Sequence, residues 1–410
     1  MRNSITRFSP RHIDWLLILP ILLLITAGLL SVYSATHNAD LYIRFQKQVF
    51  WTVLGLLVLI LVQFAPSRFF HYVAYPAYAG SVLLLVLVLL FGKTVAGNSG
   101  WFGIGGYGIQ PAEFAKVATI LALARFLADS TTSLHSFKDL AMAIGIVGLP
   151  WLLILLQPDF GTGLVYWAIF LMMIFWAGAE MVLLLTLLSP VLVAVLSIIG
   201  LWYFLVTALL VSILFYLMKR NLGVALLFLA LNFSIGFGVQ YTYAHLPEYQ
   251  RSRVAVFFDP TEAPLGAGWN VIQSKVAIGS GGLTGRGYMQ GSQTQLRFVP
   301  EQWTDFIFCV PAEEFGFLGA LMIITLFTFL LLRGLRLARI LEFRFSSLVA
   351  IGITAMLLFH IYVNIGMTLG IIPVIGLPLP FMSYGGSFFL TSMIAAGILL
   401  HAWMNRDTIA

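Results

Sequence analysis

MVLLLTLLSPVLVAVLSIIGLWYFLVTALLVSILFYLM, Met181 to Met218, runs 38 residues without one charged side chain. Ser189-Pro190 and Gly200-Leu201-Trp202 interrupt it. A helix needs roughly 20 apolar residues to cross a bilayer, so this stretch reads as two tight spans or as one long span with an interfacial piece. The rest of the chain agrees that lipid is its solvent. Of 410 residues, 60% are hydrophobic and 9% charged, whereas soluble domains carry about 25% charged residues. The apolar runs are continuous and Leu-rich instead of alternating with a period of two, which argues against strands. The expected fold class is an all-α polytopic membrane protein.

Working outward, spans are expected at roughly 13–34, 48–65, 72–92, 111–128, 139–156, 160–178, 182–199, 200–218, 222–240, 315–332, 346–367 and 383–402, about twelve in all. Arg2, Arg7 and Arg11 precede the first run, Trp15 to Val32. That run exceeds the 7 to 15 residues or so of a signal-peptide core and reads as a retained span. With the N-terminus inside, the inner loops and tails hold Arg2, Arg7, Arg11, Arg68, Arg125, Lys138, Lys219, Arg220, Arg333, Arg336, Arg339, Arg344 and Arg406. Arg44, Lys47, Lys93 and Lys116 remain outside or at the outer boundary. This is the positive-inside bias, and it places both termini in the cytoplasm. The net charge of +6 is spread over short loops, which fits membrane orientation better than a nucleic-acid partner. A single cysteine, Cys309, excludes an internal disulfide and any multi-cysteine metal site.

One long polar segment, 241–314, is left between two apolar blocks, and this topology makes it a large extracytoplasmic loop. It holds 7 of the 16 acidic residues and 5 of the 22 basic ones. Arg251, Arg253 and Lys275 are candidate phosphate contacts, each equally able to meet a lipid headgroup. The glycines of Gly279-Ser-Gly-Gly282 and Gly291-Ser-Gln293 are not followed by Gly-Lys-Ser/Thr, so this is no Walker A loop. They can still offer backbone N–H groups to an anion. Asp305, in PEQWTDFIF, stands where the chain re-enters apolar sequence. A carboxylate in such surroundings gains basicity and suits proton abstraction; the plain alternative is a helix N-cap with Thr304.

Three further clusters fall near the same boundary. Asn98 to Gly108 is glycine-rich and expected to be irregular backbone, with Pro111 suited to the first turn of the next helix. On that helix Glu113 and Lys116, three apart, share a face and can pair. They read as a functional site or as an ion pair that locks the helix. Gln157-Pro-Asp159 joins two spans, with Asp159 an N-cap or a carboxylate level with Asp305. Asn364 to Ser387, crowded with proline and glycine, predicts a broken or re-entrant helix near 373–387, which must be covered by protein or line a polar cavity.

GSGGLTGRGYMQGSQ, LRFVPEQWTDFIFCVPAEEFGFLG, NIGMTLGIIPVIGLPLPFMSYGGS, QPAEFAK and QPDFGTG together resemble the SEDS family (shape, elongation, division and sporulation) over the whole chain. GSQTQ and GMTLG lean toward its rod-shape members. The resemblance implies a peptidoglycan glycosyltransferase of the bacterial cytoplasmic membrane. It would polymerise lipid II in complex with a class B penicillin-binding protein. Asp305 matches the family's essential acidic residue, and Glu113 and Lys116 match its charged pair. Ser280, Gln293, Glu301 and Ser383, in the same blocks, join Lys275, Arg251 and Arg253 as candidate substrate contacts. No metal site is read from the residues; a divalent cation, Mg or Mn, held partly by Asp305 is a candidate cofactor. Two departures stand out: Asn98-Ser-Gly-Trp101 lacks the basic pair usual ahead of the fourth span, and the family usually has ten spans. The alternatives are a lipid II flippase and a non-catalytic scaffold for a transpeptidase.

Overall fold

Hydrocarbon offers no partner to a bare N–H or C=O, so an apolar run must satisfy its backbone within itself, as helix. The computed structural model describes residues 14–37, 41–95, 98–104, 107–245 and 268–406, and its long elements are helices. They are α1 (Trp15–Thr36), α2 (Tyr42–Val62), α3 (Phe69–Phe91), α4 (Pro111–Ala128), α5 (Phe137–Leu155), α6 (Phe160–Trp176), α7 (Met181–Ile199), α8 (Leu201–Lys219) and α9 (Leu222–Ala244). After the polar segment come α13 (Gly316–Ile340), α14 (Arg344–Thr368) and α15 (Gly386–Met404). These twelve coincide with the twelve expected spans; α2 starts about six residues earlier. Ten are long and apolar enough to cross a membrane. The other two are α4, which carries Glu113, Lys116 and Arg125, and the 17-residue α6. The chain is a multi-pass membrane protein.

Two expectations are corrected. The glycine-rich stretch before α4 is not irregular but a small antiparallel sheet of β1 (Lys93–Val95), β2 (Asn98–Ile104) and β3 (Tyr107–Ile109), in the order β1-β2-β3. Pairing Phe102 with Ile109 and Gly103 with Gly108 gives these backbone groups partners that glycine side chains cannot supply. The fold is thus not purely helical. The second correction concerns 369–385, which is not a broken helix: α14 ends at Thr368, and extended chain and turns follow until α15. Three prolines, Pro373, Pro378 and Pro380, lie within this segment, and proline within helix would forfeit a hydrogen bond. Its second half is covered by protein, with Leu377, Leu379, Phe381 and Met382 buried.

The chain divides into two compact units. One, Ile174–Gly268, contains α7, α8 and α9. The run 181–218 is therefore two helices, turning at Gly200. Phe204, Val193 and Ala208 form their shared core, and Lys219 pairs with Glu180 at 2.6 Å.

The other unit, Met1–Met173 with Trp269–Ala410, carries the remaining elements. At its centre lie α4, α14 and α15; 78% of the spanning window of α14 and of α15 is buried, against 22% for α2, α3 and α5. The outer helices turn Val53, Leu57, Ile60 and Leu90 outward, as lipid-facing surfaces do. α1 and α13 run antiparallel, tied at both ends. At one end Arg333 Nε donates to Asp14 Oδ2 at 2.8 Å, and the guanidinium also stacks on Trp403. At the other, Ser34 donates to Glu314. Midway, Gly28 admits the backbone of the 369–385 segment: a Cβ there would stand 2.5 Å from Met382 Cα.

Candidate active site

Three short helices, α10 (Trp269–Ser280), α11 (Ser292–Gln295) and α12 (Cys309–Glu314), organise the polar segment. Glu313 is its hub. Fully buried, it accepts from the backbone N–H groups of Gln293 and Thr294 and from the Thr294 hydroxyl, at 2.8, 2.9 and 2.7 Å. Ser280 also reaches it, at 3.4 Å. Ser280 and Gln293 are thereby placed within this hub. Glu314 next to it is pushed up to about 7 by burial, partly offset by its bond from Ser34.

Asp305 lies in the turns 301–308 ahead of α12. The N-cap alternative does not hold, because α12 begins four residues later behind Phe308 and has no side-chain cap. The loop is held through its main chain. Glu301, in the left-handed region at φ 52°, accepts from Thr304 N–H and Phe306 N–H. Ser383 Oγ donates to Thr304 O at 2.6 Å and accepts from Leu379 N–H at 2.8 Å. Tyr384 N–H donates to Trp303 O at 2.8 Å. Asn364 Nδ2 donates to both Asp305 O and Leu377 O, at 2.8 and 2.7 Å. The segment 369–385 is therefore a wall clipped to the Asp305 loop on one side and to α14 on the other. Ser383 and Glu301 hold this frame.

The carboxyl itself faces Gly376, where a Cβ would stand 3.3 Å from Oδ2. It is half-buried. Desolvation, and then the charges of Glu301 and Asp159, push it up to about 7. Asp159 is an N-cap, as its spacing suggested: its Oδ1 accepts Thr162 N–H at 3.0 Å. It is also within electrostatic reach of Asp305, and its Oδ2 accepts from Asn98 and Gln110, each at 2.8 Å. Both readings of Asp159 are thus realised by one side chain. The small sheet serves the site by delivering Asn98 to it.

Lys275, on α10, is exposed and lies against Gly370 at the start of the wall. Neighbouring Ser274 donates to Thr368 O at 2.6 Å. Arg251 and Arg253 lie outside the described residues. Glu113 and Lys116 do pair, at 2.8 Å, with Lys116 wholly buried. They reach the wall through His360 on α14. Among the described residues no group of three or more His, Cys, Asp or Glu is arranged to hold a metal ion.

Sequence reading missed Arg44, His360 and Asn364. Arg44, in the first turn of α2, stacks its guanidinium on Trp303 with 4.1 Å to the ring centroid, two residues from Asp305. Its only sequence signal was a basic residue at the outer boundary. For Asn364 the signal was a polar residue in an apolar helix, which membranes seldom tolerate without purpose.

Chemically, the arrangement offers one carboxyl with a pKa near neutrality, fixed by its backbone, and cations at both ends of the adjoining wall. That set can remove a proton and hold an anion nearby.

Comparison with known proteins identifies the family. The FtsW/RodA/SpoVE family model, described as "Cell cycle protein", matches residues 11–208 and 202–408. Peptidoglycan glycosyltransferase RodA of Treponema pallidum is 37% identical over 418 aligned residues, covering 94% of this chain and 96% of that protein. Peptidoglycan glycosyltransferase MrdB of Escherichia coli is 33% identical, covering 100% and 98%. A chain solved in work on a peptidoglycan synthase complex that coordinates polymerisation and crosslinking superposes with TM-score 0.73 at 32% identity, covering 97% and 99%. The crystal structure of the rod-shape-determining protein RodA of Thermus thermophilus gives 0.64 at 28%, covering 97% and 98%.

Proposed function

Given that the chain belongs to the FtsW/RodA/SpoVE family, the SEDS proteins, and is a peptidoglycan glycosyltransferase, we propose that it polymerises lipid II with Asp305 as general base. The observation that carries this is the Asp305 carboxyl: half-buried against Gly376 and pushed up to about 7, it is about half ionised at neutral pH and far more basic than an ordinary carboxylate. General-base efficiency is greatest when the pKa lies near that pH.

In this mechanism Asp305 takes the proton of a sugar hydroxyl on one lipid-linked disaccharide. The hydroxyl oxygen attacks the anomeric carbon of a second, on the face opposite the bond to the polyprenyl diphosphate, and the configuration inverts. Inverting glycosidases use the same opposition of base and leaving group. A diphosphate needs no proton to depart, only cations to meet its charge. Lys275 and Arg44 supply them, and Arg251 and Arg253 are further candidates. The reaction runs on the outer face of the cytoplasmic membrane, with both termini inside, and a class B penicillin-binding protein is the partner. No step is routed through a metal; a Mg or Mn ion arriving with the diphosphate would add charge neutralisation.

The test is glycan-strand formation by purified protein from lipid II, with and without a chelator. Asp305→Asn, near-isosteric and unable to take the proton, should lower the rate by about 100-fold or more. Retained polymerisation by that variant would end the assignment. A chelator-sensitive rate would give the diphosphate a metal companion.

A further inference from the structure

Two polar residues one turn apart on α14 hold successive carbonyls of the wall. Asn364 donates to Leu377 O, and His360 Nδ1 lies 3.2 Å from Pro378 O. Asn364 also holds the main chain of Asp305. The other nitrogen of His360, Nε2, lies 3.0 Å from Lys116 Nζ. An ammonium only donates, so Nε2 accepts, the ring is neutral, and its proton sits on Nδ1, directed at Pro378 O. Lys116 meets Glu113 Oε2 at 2.8 Å as an ion pair instead of an aligned hydrogen bond. Phe388 closes the remaining side, 5.5 Å from Nζ and 4.8 Å from the imidazole centroid. Lys116 and His360 are 0% and 1% exposed.

A buried ion pair adds little stability over well-packed apolar residues of the same volume. What it does supply is a direction. Lys116 fixes which imidazole nitrogen is protonated, and that proton fixes the Pro378 carbonyl. Gly376, against which Asp305 rests, is two residues upstream. We propose that His360 is a positioning residue of the transferase, linking the Glu113–Lys116 pair to the wall that seats the Asp305 carboxyl. In this arrangement Glu113 and Lys116 act through His360 on the geometry of the base. The inference rests on the reading of Asp305 as that base.

The experiment compares His360→Phe and His360→Gln with wild type, as purified full chains acting on lipid II, over pH 5.5 to 8.5. Phenylalanine fills the space without either hydrogen bond. It should lower kcat roughly tenfold or more with KM changed less than about threefold, because small misplacements of a reacting group are costly. The acid limb of its pH profile should also move to lower pH, since a loosened wall readmits water to Asp305. The groups that face that carboxyl, Glu301 from its own loop and Asp159 from the start of α6, are unchanged in these variants. Glutamine can accept from Lys116 and donate to Pro378, and should keep kcat within about threefold with the limb in place. Wild-type kcat and limb in His360→Phe, or equal losses in both variants, would overturn the proposal. Should the phenylalanine variant not purify as a monodisperse species, His360→Gln decides: retained activity supports the link and a loss of more than about tenfold overturns it. Failure of the base reading shows elsewhere, as activity in Asp305→Asn, and leaves the kcat comparison at position 360 intact.

Discussion

Asp305 and Gly376 meet without a side chain between them: Gly376 has φ 76°, and a Cβ added there would stand 3.3 Å from Asp305 Oδ2. The wall thus approaches the carboxyl with bare backbone, which both desolvates it and leaves its oxygens open to a substrate hydroxyl.

Gly376→Ala tests that approach. An L residue in the left-handed region costs about 1–2 kcal/mol, and the new methyl crowds Oδ2. The variant should fold with a slightly lowered thermal midpoint and lose roughly tenfold in kcat. Turnover and thermal unfolding measured on one preparation check it. Unchanged turnover would mean that the wall does not set the position of the base.

The pH dependence follows from the Asp305 carboxyl at about 7. Only the ionised form accepts a proton, so kcat/KM should climb as pH rises toward about 7 and level off above it. Stability has the opposite slope. Between the ordinary carboxyl pKa of about 4 and the raised value the folded chain keeps a proton that the unfolded chain releases, so stability falls as pH rises through that window. Glu314, also at about 7, adds to the same trend. Thermal midpoints in detergent should therefore be higher at pH 5.5 than at 7.5, and Asp305→Asn should flatten part of the difference. A wild-type acid limb near pH 4 to 5 would contradict the raised pKa.

Two buried ion pairs in one bundle should separate by function. Arg333→Met strands Asp14 and should destabilise by about 3–5 kcal/mol, while kcat of the surviving folded protein stays within about twofold. Lys116→Met strands Glu113 at similar cost, but should also lower kcat at least tenfold, because it releases His360. Denaturation curves and turnover for both variants check this. Equal kinetic losses would remove the distinction.

The helices were legible in advance because a helix in lipid is a local object, judged from one run of residues at a time. Pro111 at the first turn of α4 and Asp159 as cap of α6 were legible for the same reason. The β1–β3 sheet was not, since Gly100, Gly103 and Gly108 carry no side-chain pattern to read, and their strands exist through pairing with one another. The wall was recognised as irregular, but its extended form depends on Asn364, Ser383 and Tyr384, whose bonds join the chain to itself across 13 to 81 residues.

The site divides in the same way. Sequence alone singled out Asp305 as a candidate, put Glu113 and Lys116 on one helix face and indicated the membrane fold, because charge in an apolar chain is conspicuous and hydrophobic run length is a one-dimensional quantity. Tertiary structure alone decided that Asp159 from α6 lies within reach of Asp305, that Arg44 covers Trp303, and that His360 joins Lys116 to Pro378. Desolvation and Coulomb energy sum over neighbours in space, so the basicity of a carboxyl belongs to the folded bundle and to no single stretch of its chain.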